Sequence, residues 1–316
     1  MMVGGIDLGG TKIEACLFDA SLKPVASRRI ATPRSSYAEL VDSVGAQYEW
    51  LRCEAAIADL ALGVGIPGVT EASTGICLAS NLVATGKPLR QDLSRRLGFA
   101  VPFENDCKCF ALSEANGGAG EGYETVFGLI LGTGCGGGVC HRGRLAQGNN
   151  GLPGEVGHIG IPLGAAASLK LPLLHCACGR DGCYETLISG PGMAALARHL
   201  TDMVVSAEGI AEQAEAGNEE LRQVLDAWLQ LVCELLRTIQ VTVDPDCIVL
   251  GGGLSRIKGV ESKLSGQFLA HQVQGVRSPA ILIAKYGDSS GVRGAAMLAV
   301  PDGRCADVAN ERLRQA

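Results

Sequence analysis

Apolar and polar positions fall into strand-length and helix-length blocks along most of the chain. Val3 to Leu8 is an apolar run that ends in a glycine-rich turn, the pattern of a buried strand. From Lys12 to Phe18 polar positions alternate with Ile13, Ala15 and Leu17, which predicts a second strand, and Val25 to Ile30 predicts a third. Three successive strands with tight turns make a meander. Ala38 to Ala58 reads as helix, and Leu60 to Ile66 is an apolar strand stopped by Pro67-Gly68. A helix over Leu89–Leu97 precedes a strand at Ala100–Phe103, and a further helix is expected over Cys107–Ala115. The pattern then restarts with a strand at Val126–Leu131, a glycine run at Gly132–Gly138 and a strand at Val139–His141. Beyond it lie a helical stretch within Glu212–Val241, a strand at Cys247–Leu250 that runs into Gly251-Gly252-Gly253, and a helix over Gly291–Ala299. The tail after Pro301 is polar and is expected to fray.

Strand, glycine turn, strand therefore occurs twice, near Asp7 and near Gly132. The echo predicts two similar α/β domains, residues 1–117 with 290–316 and residues 118–289, the second carrying the cysteine-rich loop. A length of 316 residues gives each domain its own core. The formal charge of −6, with no lysine or arginine stripe, argues against nucleic acid as a partner. Thirteen scattered cysteines fit a reducing compartment better than a disulfide scaffold. With no basic leader and no apolar segment of membrane-spanning length, the expectation is a soluble cytoplasmic protein without a membrane partner.

Forty-four glycines, many of them clustered, point to backbone approaching a ligand or turning tightly. Exposed N–H groups in a glycine turn form an anion-binding concavity. Asp7-Leu8-Gly9-Gly10-Thr11-Lys12 and Gly132–Gly138 are both candidates, each with a threonine hydroxyl; the alternative for either is an ordinary hairpin turn. Gly132-x-Gly134-x-x-Gly137 and Gly63-x-Gly65-x-x-Gly68 also match the dinucleotide fingerprint. That fingerprint requires a helix to open at the motif. A short strand follows one match and Pro67 with a polar loop the other, so neither context fits.

Cys176, Cys178 and Cys183 form C-x-C-x4-C, and His158 precedes them in Gly-Glu-Val-Gly-His. Three thiolates and one imidazole make a closed tetrahedral zinc site, which is structural rather than catalytic. His175 is a rival fourth ligand, disfavoured because it adjoins Cys176. The bland reading is buried free cysteine. Metal bound here would pin Glu155, three positions before His158, and Glu185, two after Cys183.

The motifs DLGGTK (Asp7–Lys12), GIPG (Gly65–Gly68), END (Glu104–Asp106), LGTGCGGG (Leu131–Gly138), GEVGH (Gly154–His158), CACGRDGCYE (Cys176–Glu185) and GGGLS (Gly251–Ser255) occur in that order over nearly the whole length. Together they give a chain that resembles the sugar-kinase branch of the ROK family (repressor, open reading frame, kinase), and within it the N-acetylglucosamine kinases and manno(fructo)kinases. The resemblance implies an actin-like, ribonuclease-H-like α/β fold with two domains around a central cleft. It implies ATP-dependent phosphorylation of a hexose at its 6-hydroxyl, with N-acetyl-D-glucosamine the leading substrate and fructose, mannose or glucose the alternatives, and a homodimer as the assembly. A non-catalytic sugar-sensing regulator is the reading from another class. The family's repressors carry an N-terminal DNA-binding segment, whereas this sequence begins with its first strand, which favours the kinase branch.

By the same resemblance Asp106 is the catalytic base, with the helix N-cap as its structural alternative. Asn81, Asn105, Asp106, Glu155, His158 and Glu185 are the expected sugar contacts. Gly5, Ile6, Asp7, Leu8, Gly9, Gly10, Thr11 and Lys12, then Gly132, Thr133, Gly134, Cys135, Gly136, Gly137, Gly138 and Val139, and finally Gly252 and Gly253, are the expected ATP contacts. Asp7 is expected to orient Mg²⁺ through water. His158, Cys176, Cys178 and Cys183 are expected to hold structural Zn²⁺. Cys107-Lys108-Cys109 departs from the usual Ala-Asn-Cys, which puts the electrostatics around Asp106 in question.

Overall fold

Buried β-strands begin at Val3 and recur through the chain in a computed structural model that describes residues 1–300 other than 72, 80 and 81. The expectation for Asn81 and that for the tail after Pro301 therefore lie outside the described residues. In chain order the elements are β1 (Val3–Leu8), β2 (Lys12–Phe18), β3 (Pro24–Ala31), α1 (Tyr37–Ala55), β4 (Ala61–Ile66), β5 (Val69–Thr70), β6 (Cys77–Leu78), α2 (Leu89–Leu97), β7 (Phe103–Asn105) and α3 (Asp106–Ala115). There follow β8 (Thr125–Leu131), β9 (Cys135–His141), β10 (Arg144–Leu145), α4 (Leu163–Ser168), α5 (Glu185–Ile188), α6 (Gly190–Thr201), α7 (Ala207–Glu215), α8 (Glu219–Val243), β11 (Cys247–Gly251), α9 (Val260–His271), β12 (Ala280–Ile283) and α10 (Ser290–Met297). These elements group into two units: Met1–Asn116 with Gly143–Pro153 and the segment from Ser289, and Gly117–Arg142 with Gly154–Asp288.

In the first unit the sheet order is β3-β2-β1-β4-β7, antiparallel from β3 to β1 and parallel from β1 to β7. Ile6, Leu8, Ile13, Leu17, Val64 and α1 residues Leu40, Val44 and Leu51 form its core. Ser36 caps α1 by accepting from Glu39 N, and the helix stops at Ala56 in the left-handed region. The strand glycines have a packing reason. A Cβ on Gly5 would stand 2.2 Å from Val292 O, and one on Gly63 would stand 2.0 Å from Ala295 O, both in α10. A Cβ on Gly294 of α10 would in turn lie 1.8 Å from Cys109 O in α3. Glycine at these positions lets α10 press onto the sheet backbone and α3 press onto α10, so the dinucleotide-like Gly63-x-Gly65 is a packing motif.

The second unit orders β9-β8-β11-β12, antiparallel at β9–β8 and parallel after it. This repeats β2-β1-β4-β7 of the first unit, and the internal echo of the sequence is a repeated strand plan. Helix α8 lines the core with Leu225, Trp228, Leu229, Val232, Leu236 and Ile239, and the Trp228 indole N–H donates to Ile188 O at 2.9 Å.

Four expectations shift. The strand expected at Ala100–Phe103 runs over Phe103–Asn105, because Pro102 has no N–H to pair and only its carbonyl meets Val64 N at 2.9 Å. Gly136, Gly137 and Gly138 are in strand β9, opposite Ile130, Leu129 and Gly128, so the glycine turn is only Gly132–Gly134. A Cβ on Gly137 would lie 2.5 Å from the Phe127 ring, which explains glycine in that strand. The helical stretch within Glu212–Val241 is two helices, α7 and α8, parted by Gly217 at φ +97° and restarted by the Asn218 cap. The segment Gly143–Pro153, expected with the second domain, belongs to the first unit, where Asn116 Nδ2 donates to Gly143 O at 3.0 Å.

Candidate active site

In the first unit β7 passes straight into α3, and the junction is Glu104-Asn105-Asp106. Asn105 is the helix cap: its Oδ1 accepts from Cys107 N at 2.9 Å and Lys108 N at 3.2 Å, and its Nδ2 donates to Gly68 O at 2.9 Å. The cap role weighed for Asp106 thus falls to its neighbour, and Asn105 is spent largely on holding the junction. Asp106 occupies the first position of α3, where Cys107 N also donates to its Oδ1 at 2.8 Å. A helix N-terminus stabilises negative charge at that place.

Asp7 belongs to the same unit, at the end of β1 and opposite Glu14 of β2. Desolvation by the packed elements around it, with the charges of Asp106 and Glu14 adding to the effect, pushes its carboxyl up to about 7 from an ordinary 3.8. A Cβ on Gly291, in the first turn of α10, would lie 3.1 Å from Asp7 Oδ2. The turn that follows is closed by Gly9 N to Lys12 O at 2.9 Å and buttressed by Thr32, whose hydroxyl donates to Gly9 O at 2.6 Å and whose N–H meets Thr11 O at 3.1 Å. Thr32 was not foreseen from sequence. Lys12 Nζ lies 3.9 Å from Glu14 Oε2, and Arg29 Nη2 lies 2.9 Å from Glu14 Oε1.

The weakened acidity of Asp7 carries a prediction. Below about pH 4 the carboxyl is protonated in both folded and unfolded chain and costs nothing. Between its ordinary 3.8 and about 7 the unfolded chain ionises while the fold retains the proton, so stability falls as pH rises and levels off above 7. Because the Asp7 side chain is half-buried and not sealed from water, the loss is a few kcal/mol at most, at about 1.4 kcal/mol per pH unit before screening. Asp7→Asn removes it, so in metal- and nucleotide-free protein the variant's Tm advantage over wild type should be larger at pH 8 than at pH 5. A gap that is constant or shrinks with pH would contradict the burial of this charge.

In the second unit the turn Gly132–Gly134 is held from outside. Gly190 N donates to Gly132 O at 2.7 Å, and Cys135 N donates to Glu185 Oε2 at 2.8 Å. A Cβ on Gly134 would stand 2.9 Å from Glu185 Oε2, so the second glycine of the turn makes room for that carboxylate. Gly252, at φ +82°, lies against the same turn: a Cβ there would be 2.4 Å from Leu131 O. The anchoring Gly190 was missed in the sequence, because a helix-opening Gly-Pro carries no sign of a distant partner.

The cysteine loop is a backbone knuckle, with Cys176 N donating to Arg180 O at 2.8 Å and Gly179 N to Cys176 O at 3.0 Å. Gly179 at φ +88° and Gly182 at φ +72° supply the left-handed turns. One ligand atom from each of His158, Cys176, Cys178 and Cys183 lies within 4.8 Å of every other. Cys178 and Cys183 sulfurs are 3.6 Å apart, and His158 Nδ1 is 3.5 Å from Cys176 Sγ. His175 turns away and pairs with Asp181 at 2.8 Å, which leaves the fourth place to His158. The second ring nitrogen of His158, Nε2, is 3.9 Å from Glu155 Oε2. Glu155 and Glu185 thus flank the cluster, one joined to its histidine and the other to the glycine turn.

Two units with one repeated strand plan, each carrying a glycine turn at a strand end, define an actin-like α/β protein. The chain belongs to the ROK family, whose model matches residues 3–301. It is 39% identical over 311 residues to the N-acetyl-D-glucosamine kinase of Escherichia coli strain K12, across 95% of this chain and all of that protein. The N-acetyl-D-glucosamine kinase of Salmonella gallinarum is 40% identical over the same shares. Among solved structures, the ROK hexokinase of Thermus thermophilus matches with a TM-score of 0.84 at 28% identity over both whole chains. A ROK family glucokinase from Streptomyces griseus, in complex with glucose and AMPPNP, matches with a TM-score of 0.78 at 25% identity over 95% of this chain and 99% of that one. Among the described residues no helix is long and apolar enough to cross a membrane.

Proposed function

We propose that this protein transfers the γ-phosphoryl group of ATP to the 6-hydroxyl of a hexose, with N-acetyl-D-glucosamine the sugar it serves best. The observation that carries this reading is the near-full-length likeness to N-acetyl-D-glucosamine kinases; within it we cast Asp106 as the base and Glu155 and Glu185 as sugar contacts. In the reaction the sugar O6 attacks phosphorus, the bond from phosphorus to the leaving oxygen of ADP breaks, and the O6 proton passes to an Asp106 carboxylate oxygen. Such a transfer asks the protein mainly for positioning and charge neutralisation. The backbone N–H groups of the two glycine turns suit a polyphosphate. Asp7 would orient Mg²⁺, whose chemistry is to neutralise phosphate charge.

Glu155 and Glu185 suit sugar hydroxyls because a carboxylate accepts from two neighbouring donors; Glu185 has Oε1 for this, since Oε2 takes Cys135 N. The three thiols and one imidazole match the donor set of a structural zinc ion. Zinc held by His158, Cys176, Cys178 and Cys183 would supply rigidity alone, fixing the His158 ring so that Nε2 faces Glu155.

The test is a coupled assay of ADP release with N-acetyl-D-glucosamine, glucose, mannose and fructose at equal concentrations. We expect N-acetyl-D-glucosamine to lead in kcat/KM by at least about tenfold, the discrimination of roughly 1.4 kcal/mol that one well-fitted group supplies. Another sugar in the lead would replace the substrate while leaving the kinase. Absence of ADP release with all four would end the kinase reading.

A further inference from the structure

Lys108 is 1% exposed, a rare state for lysine. It lies in the first turn of α3, where the helix dipole opposes a cation, so its own helix does not stabilise it. Its ammonium meets Glu104 Oε1 at 3.3 Å, and that carboxylate is itself only 15% exposed. The loop of the first unit covers the pair: a Cβ built on Gly151 would lie 3.4 Å from Lys108 Nζ. The same Glu104 oxygen accepts the Asn105 N–H at 2.9 Å. One atom is therefore shared between a buried cation and the Glu104–Asn105 peptide, one residue before Asp106. An apolar side chain could fill this space without desolvating an ammonium. The gain from lysine lies in what the pair orients.

We infer that Lys108 is a positioning residue for Asp106, acting through Glu104. The ammonium holds the Glu104 carboxylate, the carboxylate holds the Asn105 N–H, and that anchor fixes the Asn105 backbone and through it the direction in which the Asp106 side chain leaves the first turn of α3. This rests on the reading of Asp106 as the base.

The test uses the full chain with Lys108→Met, Glu104→Gln and the double variant, with Asp106→Asn alongside. Turnover, KM for ATP, Tm and hydrogen–deuterium exchange at the Asn105 amide are measured well below each Tm. Lys108→Met leaves a lone buried carboxylate, so Asn105 should exchange faster and Tm should fall by roughly 10 °C. Turnover should fall about 10- to 100-fold, the cost of a small misplacement of a reacting group, with KM for ATP within about threefold. In the double variant the introduced side-chain amide still offers an oxygen to the Asn105 N–H and no charge is stranded, so turnover and Asn105 protection should both return to within about threefold of wild type. In every folded variant the two should move together.

A folded Lys108→Met with wild-type turnover overturns the inference, because the lysine would then be packing alone. So does a double variant with restored Asn105 protection but depressed turnover, because the ammonium would then act on the chemistry directly. Where one variant does not fold, the coupling of turnover to Asn105 exchange in the others decides. Activity surviving in Asp106→Asn removes the base assignment instead, while the exchange data still report whether Lys108 holds the Asn105 peptide, so the two failures are separable.

Discussion

Asp106→Asn should lower kcat by about 10²- to 10⁴-fold, the usual worth of a general base, while both KM values stay near wild type. The substitution is nearly isosteric. The amide keeps an oxygen to accept the Cys107 N–H that now meets Asp106 Oδ1 at 2.8 Å, and Asn105 continues to cap α3. What disappears, in the reaction proposed, is the capacity to take the O6 proton. Asp106 is also among the charges that raise the Asp7 carboxyl, so its removal relieves a repulsion. The variant also gives up the stabilisation of a charge at the helix N-terminus, so the two effects oppose, Tm in ligand-free buffer at neutral pH should stay close to wild type, and the lost turnover cannot be ascribed to unfolding. Steady-state kinetics with the preferred hexose, beside a thermal melt, checks both halves. Turnover within about threefold of wild type would remove Asp106 from the chemistry.

Much of the fold was legible because strand-length apolar runs and the doubled glycine turn carry their own signal. Glycine was the residue most open to misreading. Gly63, Gly65 and Gly68 look like a cofactor fingerprint in letters, yet Gly63 is there because a carbonyl of α10 passes where a Cβ would be. That contact joins residues far apart along the chain, and no local pattern announces it. Gly136–Gly138 were read as loop for the same reason: the Phe127 ring that requires Gly137 in strand β9 belongs to another strand. The three cysteines of the cluster were legible because their spacing is local, and His158, more distant in the chain, was separable from His175 as a candidate ligand by the strain of ligating through adjacent residues. The Glu104–Lys108 pair was half legible. An i, i+4 Glu–Lys spacing is visible in the sequence, but it normally marks a solvated helix face. Burial of Lys108 depends on the cover supplied by the loop at Gly151.

Removing the metal should have the second large effect. Purified protein is expected to carry about one zinc per chain, the stoichiometry of a closed four-ligand site. Cys178→Ser should lose most of that metal, since serine is a poor zinc ligand, and Tm should fall by roughly 10 °C or more because binding energy at such a site is folding energy. Cys176 and Cys183 are buried and backbone hydrogen bonds close the knuckle, but Cys178, Leu163 and Leu173 are exposed, so this side of the loop gains little from apolar burial. Kinetically, the loss should act first on the sugar. Zinc would hold the His158 ring in place, and a ring released from it would let Nε2 leave its place 3.9 Å from Glu155. KM for the hexose should rise at least about tenfold, the effect of losing one oriented contact. His175→Ala is the control, since His175 pairs with Asp181 outside the cluster. It should keep full zinc content, Tm and KM. Metal analysis by mass spectrometry decides the assignment independently of activity: zinc at full stoichiometry in Cys178→Ser, or zinc lost in His175→Ala, would show that a different set of side chains holds the ion.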